Sequence, residues 1–546
     1  MNVVFRAAAD AALRVDAPRV LESARKCRHM KTIFHNANVI TIDPAHPRPE
    51  GRQSGRAEAV AVDDGRIVAA GSDEDILTLR SGATLIDCRG GTLLPGFIDA
   101  HIHLLSYAAS LLSVDCSPAA VSSIVDIQDA LRRKAARTPA GDWIRSTGYD
   151  ETALAERRHP TRWDLDAAVP AHPVRLVHRS GHASVLNSAA LARAGIGIDT
   201  AEPSGGYMER DLTTGEPSGL LVEMDALLDT AVPRIDEAEL AHAVRQASDN
   251  LLSEGVTTVQ DATATNGPDE WRSFRHFIVD GHLRQAVTLM EGHASMGKLP
   301  RQTLAGRLRR GPIKIAVGEL GGEISPAEEE LADMAWQAHR RGSQVAIHAV
   351  EKRAVAAAVR AIEEALRGRP RRDHRHRIEH CSVCPPDLTK EIGSLGIAVV
   401  SQPSFLYHSG DRYLAHVPRE DLPHLYPFGD LARVGVRLAG GSDAPVVPPR
   451  PLLSIQTAVT RASRLGAVLS PEQSLNVEQA LAMHTVDAAW SAFDEDERGS
   501  IAPGKRADFV LLSGDPTALP PDEIADIDVE MTVIAGEIAW PLSSAQ

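Results

Sequence analysis

A chain of 546 residues is too long for one small core and suits a large domain with a smaller satellite. With 73 acidic against 58 basic residues, a net −15, it lacks the basic surface that phosphate neutralisation requires, which argues against a nucleic-acid partner. No run approaches the roughly 18 apolar residues of a membrane helix. The five cysteines are too scattered for a disulfide framework, so reduced thiols in a cytoplasmic protein are expected.

Residues 1–30 carry arginines but no continuous apolar core, and read as a disordered extension or as sequence upstream of the true start. From Met30 the texture is β. Thr32–His35, Asn38–Ile42, Ala59–Val62, Arg66–Gly71, Thr84–Asp87 and Thr92–Leu94 read as strands, with a hairpin turn at Asp63-Asp64-Gly65. The same texture returns near the other terminus at Ala507–Leu512, Val529–Ala535 and Glu537–Trp540. This predicts a small β-sandwich built from both ends, residues 31–95 and 499–546.

Between them, residues 96–498 alternate strands and helices, the pattern of a parallel (β/α)8 TIM-type barrel. The predicted strands are Gly96–His103, Thr257–Asp261, Ala286–Glu291, Ile313–Val317, Gln344–His348, Arg377–His380, Ala398–Gln402 and Val436–Asp443. Glu328–Arg340, Ala354–Leu366 and Asp387–Ile392 read as helices between them. Residues 104–250 exceed one βα step and read as an insertion able to roof the barrel mouth.

The chemistry lies at the strand ends. His101 and His103 stand two apart and therefore face the same way on a strand. Lys314 lies within the Ile313-Lys314-Ile315 strand, and His348, His380 and Asp443 follow at the ends of later strands, where a barrel gathers its functional groups. Each alone has an ordinary explanation: a hydrogen-bonded core histidine, a lysine snorkelling to solvent, an aspartate capping a helix. Together, four imidazoles and a carboxylate suit a borderline cation such as zinc. The Cys381-x-x-Cys384 spacing has no second pair and is followed by Pro385-Pro386, so a separate cysteine metal site is not expected.

These residues carry a resemblance. Leu94-Pro95-Gly96-Phe97-Ile98-Asp99-Ala100-His101-Ile102-His103, Gly255–Asp261, Ile313-Lys314-Ile315, Ile347-His348-Ala349, Arg377-Ile378-Glu379-His380, Gly441-Ser442-Asp443-Ala444-Pro445 and Gly499-x-Ile501-x-Pro503-Gly504-Lys505-x-Ala507-Asp508 resemble, in order, the amidohydrolase superfamily of metal-dependent hydrolases. Within it the chain is most similar to the YtcJ-like group, which includes N-substituted formamide deformylases. The resemblance implies two divalent ions, zinc by preference. His101, His103 and Asp443 would hold the more buried ion, His348 and His380 the other, and Lys314 would bridge both as a carbamate made with carbon dioxide. It implies hydrolysis of an amide C–N bond, in an N-acyl or N-formyl amine, by a metal-held hydroxide with Asp443 as general acid and base.

His182, in Arg179-Ser180-Gly181-His182-Ala183, resembles a motif of the group and is a candidate catalytic residue. Glu379 is a candidate for orienting the site, or for pairing with Arg377. Asp261 reads as a second support or a core ion pair, and Tyr407, His408 and Trp163 as pocket walls by position alone.

Relatives follow the strand lysine with Asp-Gly and the His348 region with Gly-Asp. Here Ala316–Glu323 and Val350–Arg353 depart from both, which leaves the substrate open. The alternative is a mononuclear deaminase or cyclic amide hydrolase on the same barrel, with Lys314 uncarboxylated. A non-enzymatic scaffold would have lost ligands that are all present. A small amide is the expected partner, and a homodimer is left open.

Overall fold

The computed structural model describes residues 31–43, 56–203, 206–224, 227–228, 232–233, 235–300, 304, 306–320 and 323–540. The expected N-terminal extension at 1–30 lies outside them. No helix among the described residues is long and apolar enough to cross a membrane.

Eight parallel strands follow one another in sequence and in space: β1 (Phe97–Ile102), β2 (Val256–Asp261), β3 (Ala286–Gly292), β4 (Leu308–Ala316), β5 (Val345–Ala349), β6 (Arg377–His380), β7 (Ala398–Ser401) and β8 (Leu438–Gly440). Most of their residues are buried on both faces, as in strands enclosed by helices, and several of the polar ones among them belong to the site described below. The crossovers are amphipathic. In Lys352–Gly368, Val355, Ala358, Val359, Ile362 and Ala365 recur at helical spacing and are all buried. Full burial of a side chain the size of Ile362 contributes about 1.5–3 kcal/mol.

The sheet nearly closes. Past the end of β8, the Asp443 amide donates to the His101 carbonyl of β1 at 2.7 Å. Glycine permits this approach, since a Cβ on Gly441 would sit 2.6 Å from the His101 nitrogen.

Boundaries differ from the sequence reading in instructive places. β4 begins at Leu308 rather than Ile313, because Leu308 and the two arginines after it pair with Val287–Leu289 of β3. β8 ends at Gly440 rather than Asp443, because Asp443 turns left-handed at φ 58°. A short hairpin, Gly318–Leu320 with Glu323–Ser325, occupies the stretch that departs from relatives after the strand lysine.

The termini supply a four-stranded sheet, ordered Arg66–Gly71, Ala59–Asp63, Thr32–His35, Thr84–Asp87, and a six-stranded one. In the latter Phe509–Leu512 pairs antiparallel with Thr92–Pro95, joining the two chain ends. One core, including Phe34, Val60, Ile67, Leu93, Phe509 and Val533, draws on both sheets.

Contact density divides the chain into two compact units. One comprises His103–Ala247 with Ala444–Val446; the other holds the barrel strands and the terminal sheets. The first unit has its own six-stranded sheet, ordered Tyr207–Arg210, Pro217–Val222, Ala183–Leu186, Val174–His178, Ile144–Tyr149, Val114–Asp115. Ile127, Leu131, Ile144, Leu176 and Val185 are among the residues of its core.

Candidate metal centre

Strand register sets the heights of the functional groups. Lys314 of β4 pairs with Ala346 of β5, which pairs with Arg377 of β6. Two residues on, and so on the same face, Ala316, His348 and Glu379 form the next layer. His380 would by alternation face the other way. Its φ of 72°, with Cys381 at 51°, turns the chain left-handed, and its ring lies 4.3 Å from that of His348 and 4.8 Å from that of His101 between centroids. Non-glycine residues held there cost of order 1–3 kcal/mol each and cluster at functional sites. Asp443 bends likewise.

His101, His103 and Asp443 each offer a ligand atom, all within 4.8 Å of one another. The His101 Nε2 lies 3.4 Å from an Asp443 oxygen. Its Nδ1 sits 2.5 Å from Glu379 Oε2. The Arg377 guanidinium grips Glu379 and donates to the Ala100 carbonyl at 2.8 Å and the Gln260 amide oxygen at 2.6 Å. His380 Nδ1 donates to Gln402 Oε1 at 2.8 Å, and Ser401 Oγ donates to the His380 carbonyl at 2.7 Å. Asp99 Oδ1 accepts from the amides of His101 (3.1 Å) and Ser442 (3.0 Å), fixing β1 to the turn that carries Asp443.

Electrostatics prepare these groups as ligands. Burial, then the nearby Lys314 ammonium, lowers His101 to about 3, and burial with His380 holds His348 well below the usual imidazole value. His380 is lowered too, mainly by burial. Neutral imidazoles are the form that binds metal. Burial pulls Lys314 down to about 8 and pushes the Asp99 carboxyl up to about 6. Burial alone would raise Glu379, but Arg377, then Lys314 and His101, hold it well below the usual carboxylate range.

Two polar atoms point to a cation. The Lys314 Nζ and His380 Nε2 are buried with no hydrogen-bond partner among the described residues. Such orphans are rare because desolvation without a partner is costly. A bridging acid made from Lys314 and ions on the imidazole nitrogens would relieve both, so the donor set fits the metals implied by the barrel's chemistry.

The remaining candidates have partners of their own. His182 is exposed and pairs with Glu223 at 2.7 Å within the first unit. Trp163 of the same unit is half-exposed beneath the Arg162 guanidinium. Asp261 is buried and accepts from Asn266 and the Thr263 amide, the role of a turn support. Tyr407 and His408 lie side by side on the helix Ser404–His416 that follows β7. Cys381 and Cys384 are free and buried, and the Cys381 contact and burial raise the Cys384 thiol far above its ordinary value, which disfavours the thiolate a metal needs.

Sequence reasoning singled out neither Gln402 nor the bracing role of Asp99. The signal for Gln402 was its place directly after β7, a strand end. It also missed a second group of ligand-type atoms, Asp150, Glu151 and His178, in the first unit. There Asp150 receives the Arg179 guanidinium at 2.8 Å and Glu151 lies 2.8 Å from His178 Nε2, so each carboxylate already has a partner.

Comparison with known proteins gives a consistent result. The model of a family described as the amidohydrolase family matches residues 84–539. An N-substituted formamide deformylase of Arthrobacter pascens is 30% identical, over 92% of this chain and 97% of its own length. YtcJ of Bacillus subtilis (strain 168) is 29% identical, over 94% of this chain and 100% of its own. A solved metal-dependent hydrolase of Pyrococcus horikoshii OT3 has the same fold, with TM-score 0.71 and 23% identity over 90% of this chain and 99% of that one.

Proposed function

The chain belongs to the amidohydrolase family, a hydrolase acting on non-peptide C–N bonds, and from that premise we propose that it cleaves a small N-acyl or N-formyl amine at a two-zinc site. The observation that carries this is the buried, unpartnered Lys314 amine beside three neutral imidazoles and Asp443 at the ends of β1, β4, β5, β6 and β8. A mononuclear deaminase does not need that lysine, so its presence favours the two-ion reading. The formamide deformylase relative supports the choice of an acylated amine.

In this reading His101, His103 and Asp443 would hold one ion and His348 and His380 the other. Lys314 would serve them as a carbamate ligand; its lowered pKa leaves part of the amine neutral, the form that adds to carbon dioxide with loss of a proton. Bound ions supply carbonyl polarisation and acidify water. Asp443 takes a proton from the attacking water and returns it to the departing nitrogen. Water and amide thus become an amine and a carboxylic acid, with no protein nucleophile. His182 is proposed as a further catalytic group, with Glu223 fixing its ring. The two terminal sheets with their shared core are read as one satellite sandwich, residues 31–95 and 499–546, flanking a barrel at 96–498. The four cysteines among the described residues are free thiols, which suits a cytoplasmic setting.

A hydrolysis screen over N-formyl, N-acetyl, carbamate and cyclic amide substrates, with zinc and bicarbonate supplied, tests the proposal. Release of free amine that depends on bicarbonate is the expected result. Ammonia release from a nitrogen heterocycle, with one ion and no bicarbonate dependence, would replace it with the deaminase reading.

A further inference from the structure

The two halves of the site are braced by chemically different partners. Glu379, a carboxylate, receives His101 Nδ1, whereas Gln402, a neutral amide, receives His380 Nδ1. We propose that this difference makes the two ion positions unequal: Glu379 creates a tight position at His101 and Asp443, and Gln402 leaves an exchangeable one at His380 and His348. The inference rests on the two-ion reading above and deepens it.

A metal-binding imidazole gains basicity when its other nitrogen donates to an anion, and removing such partners typically costs 10–100-fold in metal affinity. A carboxylate is the stronger acceptor. Glu379 is also locked, because Arg377 grips it from the same strand while donating to Ala100 and Gln260. The backbone around this half is equally fixed. Asp99 accepts from the His101 and Ser442 amides, and Asp443 N donates to the His101 carbonyl. His101 and Asp443 therefore reach their places before any ion arrives, and little ordering remains to be done on binding.

The other half is looser. Gln402 is buried with its Nε2 unpartnered among the described residues, so the side chain that receives His380 is held at one end only. No anion stands behind His380 Nδ1. Glu379 and Gln402 touch ligands rather than substrate and are positioning residues.

The test is a zinc titration of the metal-free full-length protein against a chromophoric chelator, with total zinc and thermal unfolding measured in parallel. The wild type should load in two steps separated by at least about tenfold. Glu379→Gln should weaken the first step by about 10–100-fold and leave the second within about threefold. Because Glu379→Gln strips Arg377 of its carboxylate, Gln402→Glu provides an independent and opposite test. It should tighten the second step by about tenfold or more and narrow the gap. One step in the wild type overturns the two-ion reading. Two equal steps, or a Gln402→Glu protein whose second step does not tighten, overturn the asymmetry itself.

Discussion

Strand β6 separates two histidine clusters that look alike in sequence and differ in physics. Just before its start, His339, His374 and His376 are buried and satisfied. His376 Nδ1 accepts from the Val345 amide at 3.0 Å, its Nε2 meets His339 Nδ1 at 2.8 Å, and His339 Nε2 donates to the Arg369 carbonyl at 2.7 Å. His374 Nδ1 accepts from the His376 amide and its Nε2 donates to the Leu395 carbonyl. Every ring nitrogen is used, so these rings are joinery for the ends of β5 and β6. At the far end of β6, His380 keeps one nitrogen bare beside the bare Lys314 amine. A histidine is a ligand candidate where its hydrogen bonds stop short, and burial alone does not separate the two cases.

This contrast breaks most visibly under substitution. Lys314→Ala should reduce amide hydrolysis to background, with partial rescue by short carboxylic acids, and unaltered turnover would remove the bridging role. Asp443→Asn should lower kcat by about 10²–10⁴-fold while zinc content falls less, as expected of a group that moves a proton. His376→Ala should do the opposite. It strips the Val345 amide and His339 of partners and should cost about 2–5 kcal/mol in urea unfolding, with zinc per folded chain unchanged.

A subtler effect has the reverse sign. In metal-free protein, Lys314→Met removes an orphaned buried amine and should stabilise by about 1–3 kcal/mol. A loss instead would mean that Lys314 is part of the framework, as the lower histidines are.

The lower cluster also makes stability depend on pH. Burial and neighbouring cations lower His374 and His339, and hold His376 well below the ordinary imidazole value. The unfolded chain therefore binds protons first. Stability is complete above the unfolded value of about 6.5 and is lost as pH falls through it, by at most about 1.4 kcal/mol per pH unit for each differential proton. Unfolding free energies of metal-free protein between pH 7 and 5 should show this slope, and His374→Asn should flatten it. An unchanged slope would mean that the lower cluster does not remain neutral.

Much of this was legible in the chain. Period-two spacing placed His101 with His103, and the order of strand-end residues placed Lys314 and His348. What escaped prediction depends on contacts distant in sequence or on backbone hand. Alternation alone points His380 away from the barrel, and only its left-handed φ turns it back. Glu379 offered two readings, and the structure joins them: it pairs with Arg377 and braces His101 together. Gln402 gave no sign of its partner, which lies 22 residues away. The sheet inside residues 104–250 is hidden in the sequence because its strands are short and its pairings mix parallel and antiparallel neighbours.

The most direct test is the zinc content of purified protein, compared across His380→Asn, His376→Asn and wild type after dialysis against buffered zinc. The account predicts about two ions per wild-type chain, about one in His380→Asn, and about two per folded chain in His376→Asn. Zinc that is absent from the wild type, or that follows His376 rather than His380, would contradict it.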